Sequence, residues 1–200
     1  NSIKPDVMSS NELIEYICRS VQGYRRHYSD NSILNIVICM TQGFLTVFSG
    51  EPGIGKTSIC NIMAKVLGLT QFSRQLSSKR DCIAIDRYIP VAVEKGWTSK
   101  RDFIGYYNPL TKKFDAANND VYQGFRILDK EIVDNIDISK YPFVMLLDEA
   151  NLSQMEYYWA DFMNMADSDS RSIMKLNLGA GITVKIPKTF RFVATINNDQ

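Results

Sequence analysis

The sequence predicts an α/β domain of three layers around a mostly parallel sheet, and three observations carry that expectation. A glycine-rich turn, Gly50-Glu51-Pro52-Gly53-Ile54-Gly55-Lys56-Thr57, follows the β-branched-rich apolar run Phe44-Leu45-Thr46-Val47-Phe48 and opens into helix-forming sequence. A second run, Phe143 to Leu147, is apolar without interruption, as a strand buried on both faces requires, and it ends in Asp148-Glu149. A third, Phe190 to Ile196, closes on Asn197-Asn198. Such strands, separated by helical patterns, form parallel sheets covered by helices on both faces, with the chemistry at the carboxyl ends of the strands.

Taken in order, Ser10-Asn11 can cap a helix with apolar residues at Leu13, Ile14, Ile17 and Val21. The basic cluster Arg25-Arg26-His27 suits the negative end of that helix, although it could also meet phosphate. Ser32 to Gln42 is expected to be a second helix beside the nucleotide pocket, leading through Gly43 into the first core strand. Thr57 to Leu67 should form the helix after the loop, ended by Gly68. Cys82 to Ile89 reads as the next strand, stopped by Pro90. Tyr106, Tyr107, Lys112, Lys113 and Phe114 either stack on a polymer or form a hairpin whose aromatics pack on its own helix. Val121 to Val133 carries a helical apolar stripe, at Val121, Phe125, Leu128 and Ile132. Met155 to Ala166 is expected to be one aromatic- and Met-rich helix serving the core or a subunit interface. Asp167-Ser168-Asp169-Ser170 is a polar turn with too few ligands for a calcium loop. Ile173 to Leu178 and Ile182 to Ile186 flank Gly179-Ala180-Gly181 as a hairpin.

The glycine loop has the spacing that a polyphosphate demands. Wrapping an anion means pointing consecutive backbone N–H groups inward, and Gly50, Gly53 and Gly55 permit the angles and close approach this needs. The segment Gly50, Glu51, Pro52, Gly53, Ile54, Gly55, Lys56, Thr57, Ser58 is therefore the expected nucleotide-binding stretch. Lys56 can reach the β- and γ-phosphates as a point charge, the Thr57 hydroxyl can ligate Mg²⁺, and the helix starting there turns its positive end to the anion. Asp148 would hold the same metal, directly or through its water, and Glu149 would orient and polarise the attacking water. Asn197 offers an amide at a neighbouring strand tip, for the γ-phosphate or the water; the alternative is an Asn-Asn turn.

From about Ser32 to Asn198 the chain resembles the AAA+ ATPases, within the branch of dynein-related, midasin, MoxR-like and McrB-like modules. GEPGIGKT looks like Walker A, LLDEANLS from Leu146 to Ser153 like Walker B, and ATINN from Ala194 to Asn198 like sensor 1, with Asn197 its polar residue. Arg101 to Tyr107 is similar to the Asp-Leu-Ile-Gly type segment of that branch, after which Asn108 to Asp120 would hold a hairpin inserted in the second helix. The resemblance implies a P-loop NTPase with residues 1–43 as a helical lead-in and 44–200 as the nucleotide-binding core. It further implies ATP and Mg²⁺ as cofactors, hydrolysis, assembly into a ring of six with an arginine finger from a neighbour, and work on a macromolecule, protein or nucleic acid. Two alternatives stay open: a GTP- or ATP-driven translocation subunit of a McrB-like restriction system, and a nucleotide-dependent scaffold with little turnover. The run Thr195-Ile196-Asn197-Asn198-Asp199 departs from the Met-Asn-Thr-Ala-Asp type of the GTP-using members, so a GTP preference is not carried over. Family members continue past sensor 1 into a further strand and a helical lid with sensor 2; this chain is expected to be a segment of a longer polypeptide in which those parts lie beyond Gln200.

Composition agrees with one globular unit: 45% hydrophobic and 22% charged residues over 200 positions are ordinary values. A net charge of +1 gives no bulk electrostatic case for nucleic acid or an anionic membrane. No stretch approaches the ~18 apolar residues of a membrane span. Cys18, Cys39, Cys60 and Cys82 form no CxxC pair and are expected as buried thiols in a reducing cytoplasm. His27 is the single histidine, which leaves little material for a histidine metal site or a catalytic triad.

Overall fold

The computed structural model describes residues 8–25, 27–70, 74–75, 84–135, 142–166 and 174–198. At its centre are four parallel strands in the order β1, β10, β7, β4, where β1 is Leu45–Gly50, β4 Tyr88–Ala92, β7 Phe143–Asp148 and β10 Phe190–Asn197. Strand alternation divides the apolar side chains between two cores. Val144, Leu146 and Val193 face helices α1 (Ser10–Gly23), α2 (Asp30–Gln42) and α3 (Lys56–Val66). Phe143, Met145, Leu147, Phe190, Phe192 and Ala194 face helix α5 (Asn119–Val133) and the hairpin β8 (Met174–Gly179) and β9 (Ile182–Ile186). This is the three-layer α/β arrangement with inserted hairpins that the sequence predicts, and β7 is buried on both faces as its unbroken apolar run requires.

Local chemistry sets the helix ends. Helix α1 is capped by Ser9, one residue before the expected Ser10, because Glu12 three positions on completes a reciprocal capping box: Ser9 N–H donates to Glu12 Oε2 at 2.7 Å and Glu12 N–H to Ser9 Oγ at 3.3 Å. The Ser9 N–H, and after it the Ser9 hydroxyl donating to Oε2 at 2.8 Å, hold the Glu12 carboxyl below its ordinary pKa. Helix α2 starts two residues before Ser32, since Ser29 accepts from Ser32 N–H at 3.2 Å. In α5, Gly124 allows close approach: a Cβ there would lie 2.7 Å from Ile89 Cδ1 and 3.1 Å from Phe143 Cζ, so any larger residue would make those side chains shift.

Several expectations are corrected. The strand expected over Cys82–Ile89 is instead two elements: β3 (Ala84–Ile85), paired antiparallel with β2 (Arg74–Gln75), and the core strand β4, which runs through Pro90 rather than stopping at it. Pro90 is tolerated because, among the described residues, β4 pairs only with β7. Arg87 C=O accepts from Val144 N–H at 2.9 Å and Val93 N–H donates to Asp148 C=O at 3.0 Å, so odd-numbered residues face β7 and the nitrogen of Pro90 faces outward. Met155–Ala166 is not one helix. It breaks at Trp159 into α6 (Met155–Tyr158) and α7 (Ala160–Ala166), with the indole seated against Phe44, Phe162 and Phe192.

After the short helix α4 (Lys100–Phe103), the inserted hairpin is Gly105–Asn108 (β5) paired with Lys113–Ala116 (β6), starting earlier than Asn108. Its Phe114 stacks on Tyr122 of α5 at 4.3 Å, so the aromatic side chain packs on the protein's own helix. Cys18, Cys39 and Cys60 are free thiols, and Cys39 is exposed, contrary to expectation. Burial, with Asp148 nearby, pushes the Cys60 thiol up to about 12, which makes it inert. The Asp167–Ser170 turn, Cys82, Arg26 and Ile173 lie outside the described residues. Among the described residues no helix is long and apolar enough to cross a membrane.

Candidate nucleotide site

The carboxyl ends of β1, β7 and β10 lie side by side, and the register sets Gly50 opposite Asn197. The turn after β1 enters α3 through Gly55, whose φ of +94° is the left-handed region a side chain would resist; that turn starts the helix at Lys56, with no side-chain cap on its first turn.

Lys56 Nζ uses its three donors on Gly50 C=O at 2.9 Å, Glu51 C=O at 2.8 Å and Asn197 Oδ1 at 2.8 Å. Thr57 Oγ1 donates to Asp148 Oδ1 at 2.6 Å. Glu149, with φ 55° and ψ 46°, leaves the strand in a left-handed conformation that turns its exposed carboxylate back toward β10, where Asn197 Nδ2 donates to Oε1 at 3.4 Å. These groups border a cavity of about 280 Å³ lined by Pro52, Gly53, Gly55, Lys56, Thr57, Ser58, Asp148, Glu149, Thr195 and Asn197. Ligand clefts run from about 300 Å³ upward, so this one stands at the small end of that range.

Of the residues singled out from sequence, Gly50, Glu51 and Ile54 are not in the cavity wall: the first two offer carbonyls to Lys56, and Ile54 is exposed above Gly50. Two residues were missed. Thr195 is 1% exposed and hydrogen-bonds across to the β7 tip. Asn151 brackets the backbone of Asn197, accepting its N–H at 3.2 Å and donating to its C=O at 2.9 Å. A threonine in a strand looks like β propensity, so the only available signal was its place two residues before Asn197.

No protein-family profile matches the chain, and no curated protein matches it. Solved structures do match. One is the crystal structure of a "putative ATPase" from Cytophaga hutchinsonii, 17% identical, with a TM-score of 0.48 over 95% of this chain and 43% of that one. The chain thus spans less than half the length of that protein. At this identity and score the likeness says nothing about chemistry.

The donors present are hard oxygens, the Thr57 hydroxyl and the Asp148 carboxylate, which suit Mg²⁺ rather than a soft metal. Among the described residues no cluster of three or more His, Cys, Asp or Glu could hold a metal by itself. Mg²⁺ commonly takes one or two carboxylates and completes its shell with phosphate oxygens and water, and this donor set fits that habit.

Proposed function

We propose that the chain is a Mg²⁺-dependent ATPase core of the AAA+ type, residues 1–43 leading in and 44–200 binding nucleotide, working in a ring that moves or remodels a macromolecule. The observation that carries this reading is one hydrogen-bonded set at the tips of three adjacent strands: the Lys56 ammonium on the Asn197 amide, that amide on the Glu149 carboxylate, and Asp148 joined to Glu149 through the Thr195 hydroxyl. Asp148 and Thr57 would hold Mg²⁺, which when bound neutralises charge on the phosphates. Lys56 exchanges donors now on Gly50 C=O, Glu51 C=O and Asn197 Oδ1 for the β- and γ-phosphates, and the start of α3 turns its N–H groups to them. Glu149 orients the attacking water and draws its proton, and Asn197 holds that water or the γ-phosphate from the next strand.

Lys56→Ala tests the binding half. Charge-assisted hydrogen bonds contribute about 1.5–3 kcal/mol, so calorimetric titration should find ATP affinity roughly ten- to a hundredfold weaker. Unchanged affinity would remove Lys56 from the site.

The ring half has its own test. A neighbour's arginine is worth ~10³ to 10⁵ in rate, so this chain, at concentrations where it is monomeric, should bind MgATP yet release phosphate slowly. Brisk turnover by a demonstrated monomer contradicts the ring.

A further inference from the structure

We propose that Thr195 is a positioning residue that sets both carboxylates of the β7 tip through a single hydroxyl. Its Oγ1 donates to Asp148 Oδ1 at 2.6 Å and accepts the Glu149 backbone N–H at 2.9 Å. The pairing of β10 with β7 runs up to Ala194 and Leu147, so Thr195 sits at the first position past that ladder, where β7 ends. Glu149 turns left-handed at that point and its N–H leaves the strand pattern; the threonine oxygen satisfies it.

The one hydroxyl therefore aims the group assigned to the metal and fixes the backbone that aims the group assigned to the water. Thr57 Oγ1 also reaches Asp148 Oδ1, but from the half-buried phosphate-loop side, whereas Thr195 is 1% exposed and belongs to the sheet. Hydroxyls and carboxylates that orient a metal ligand from behind typically govern metal affinity or activity by 10–100-fold. Valine would keep the size and branching of Thr195 and could neither donate nor accept.

This inference rests on the ATPase reading, and the experiment separates the two. Binding of a fluorescent ATP analogue is titrated in EDTA and across a Mg²⁺ series for the wild type, Thr195→Val and Thr195→Ser, alongside phosphate release. Thr195→Val should bind metal-free ATP as the wild type does, need about tenfold or more Mg²⁺ for half-maximal tightening, and lose turnover by roughly 10–100-fold. Thr195→Ser, which restores the hydroxyl, should recover most of both. If circular dichroism shows Thr195→Val unfolded, Thr195→Ala replaces it with the same expectations. Wild-type metal dependence and turnover in the hydroxyl-free variant overturn the inference, as does an equal loss of metal-free and metal-bound affinity or a failure of serine to restore. A wild type that does not bind MgATP brings down the ATPase reading and this inference together; a wild type that binds and hydrolyses beside an indifferent Thr195→Val brings down this inference alone.

Discussion

Glu149→Gln is expected to leave MgATP affinity within about twofold of wild type and to lower turnover by roughly 10²- to 10⁴-fold, the usual contribution of a general base. Glutamine has the shape of glutamate and can still accept from Asn197 Nδ2, so the 3.4 Å contact survives. What it lacks is a basic oxygen to draw the proton from water. The side chain is exposed, so the change leaves no charge stranded in the core and the fold should be unaffected. Isothermal titration with MgATP and phosphate release at saturating nucleotide measure the two halves separately. A parallel fall in both would show that Glu149 holds the ligand rather than the water, and the division of labour between Lys56 and Glu149 would be wrong.

The second large effect is on stability. Arg87, just before β4, and Glu131, near the end of α5, are 1% and 2% exposed and joined by two hydrogen bonds, Nη1 to Oε1 at 2.6 Å and Nη2 to Oε2 at 3.2 Å. Arg87 Nε also donates to Pro142 C=O at 3.1 Å, and the guanidinium lies 5.4 Å over the Phe143 ring. The pair thereby fastens a helix to the starts of two strands. Removing the carboxylate takes two charge-assisted hydrogen bonds from a guanidinium in low dielectric, so Glu131→Ala should cost about 3–5 kcal/mol in urea unfolding, a large share of the 5–15 kcal/mol that holds a typical domain. Replacing both, as Arg87→Met with Glu131→Leu, should recover most of that loss, because the desolvation of two ions goes with them. Recovery stays incomplete while Pro142 C=O has no donor. If the double variant is less stable than Glu131→Ala, the ion pair stabilises the fold outright.

How much of this was legible in the sequence depends on the reach of each signal. The strands that carry Gly50, Asp148 and Asn197 announce themselves by apolar runs and by the residue types at their ends. The glycines and lysine of this loop stand at a recognisable spacing after an apolar run, so the turn from Gly50 to Thr57 and the helix that follows it could be expected directly. Nothing local says that β10 lies between β1 and β7, and without that order Asn197 could not be set beside Lys56. Thr195 and Asn151 escaped because their partners are 46 and 47 residues away and each residue type is ordinary where it stands. Trp159 splits a stretch that has no Pro or Gly to mark a break; the break comes with tertiary packing of the indole and with Tyr158, whose hydroxyl donates to Ala150 C=O at 3.0 Å. Glu131 was within reach: it follows Leu128 by three on the buried stripe of α5, where a charge calls for a buried partner.

Pro90 also bears on how the molecule behaves in a crowded solution. Among the described residues β4 has a strand neighbour on one side only, and its outward row of backbone groups is interrupted where the ring nitrogen carries no hydrogen. An incoming strand from another copy would meet a missing donor in the middle of a five-residue edge, too short a template to tolerate the gap. That rim of the sheet is thus guarded against edge-to-edge aggregation by the very residue that local sequence rules take as the end of the strand.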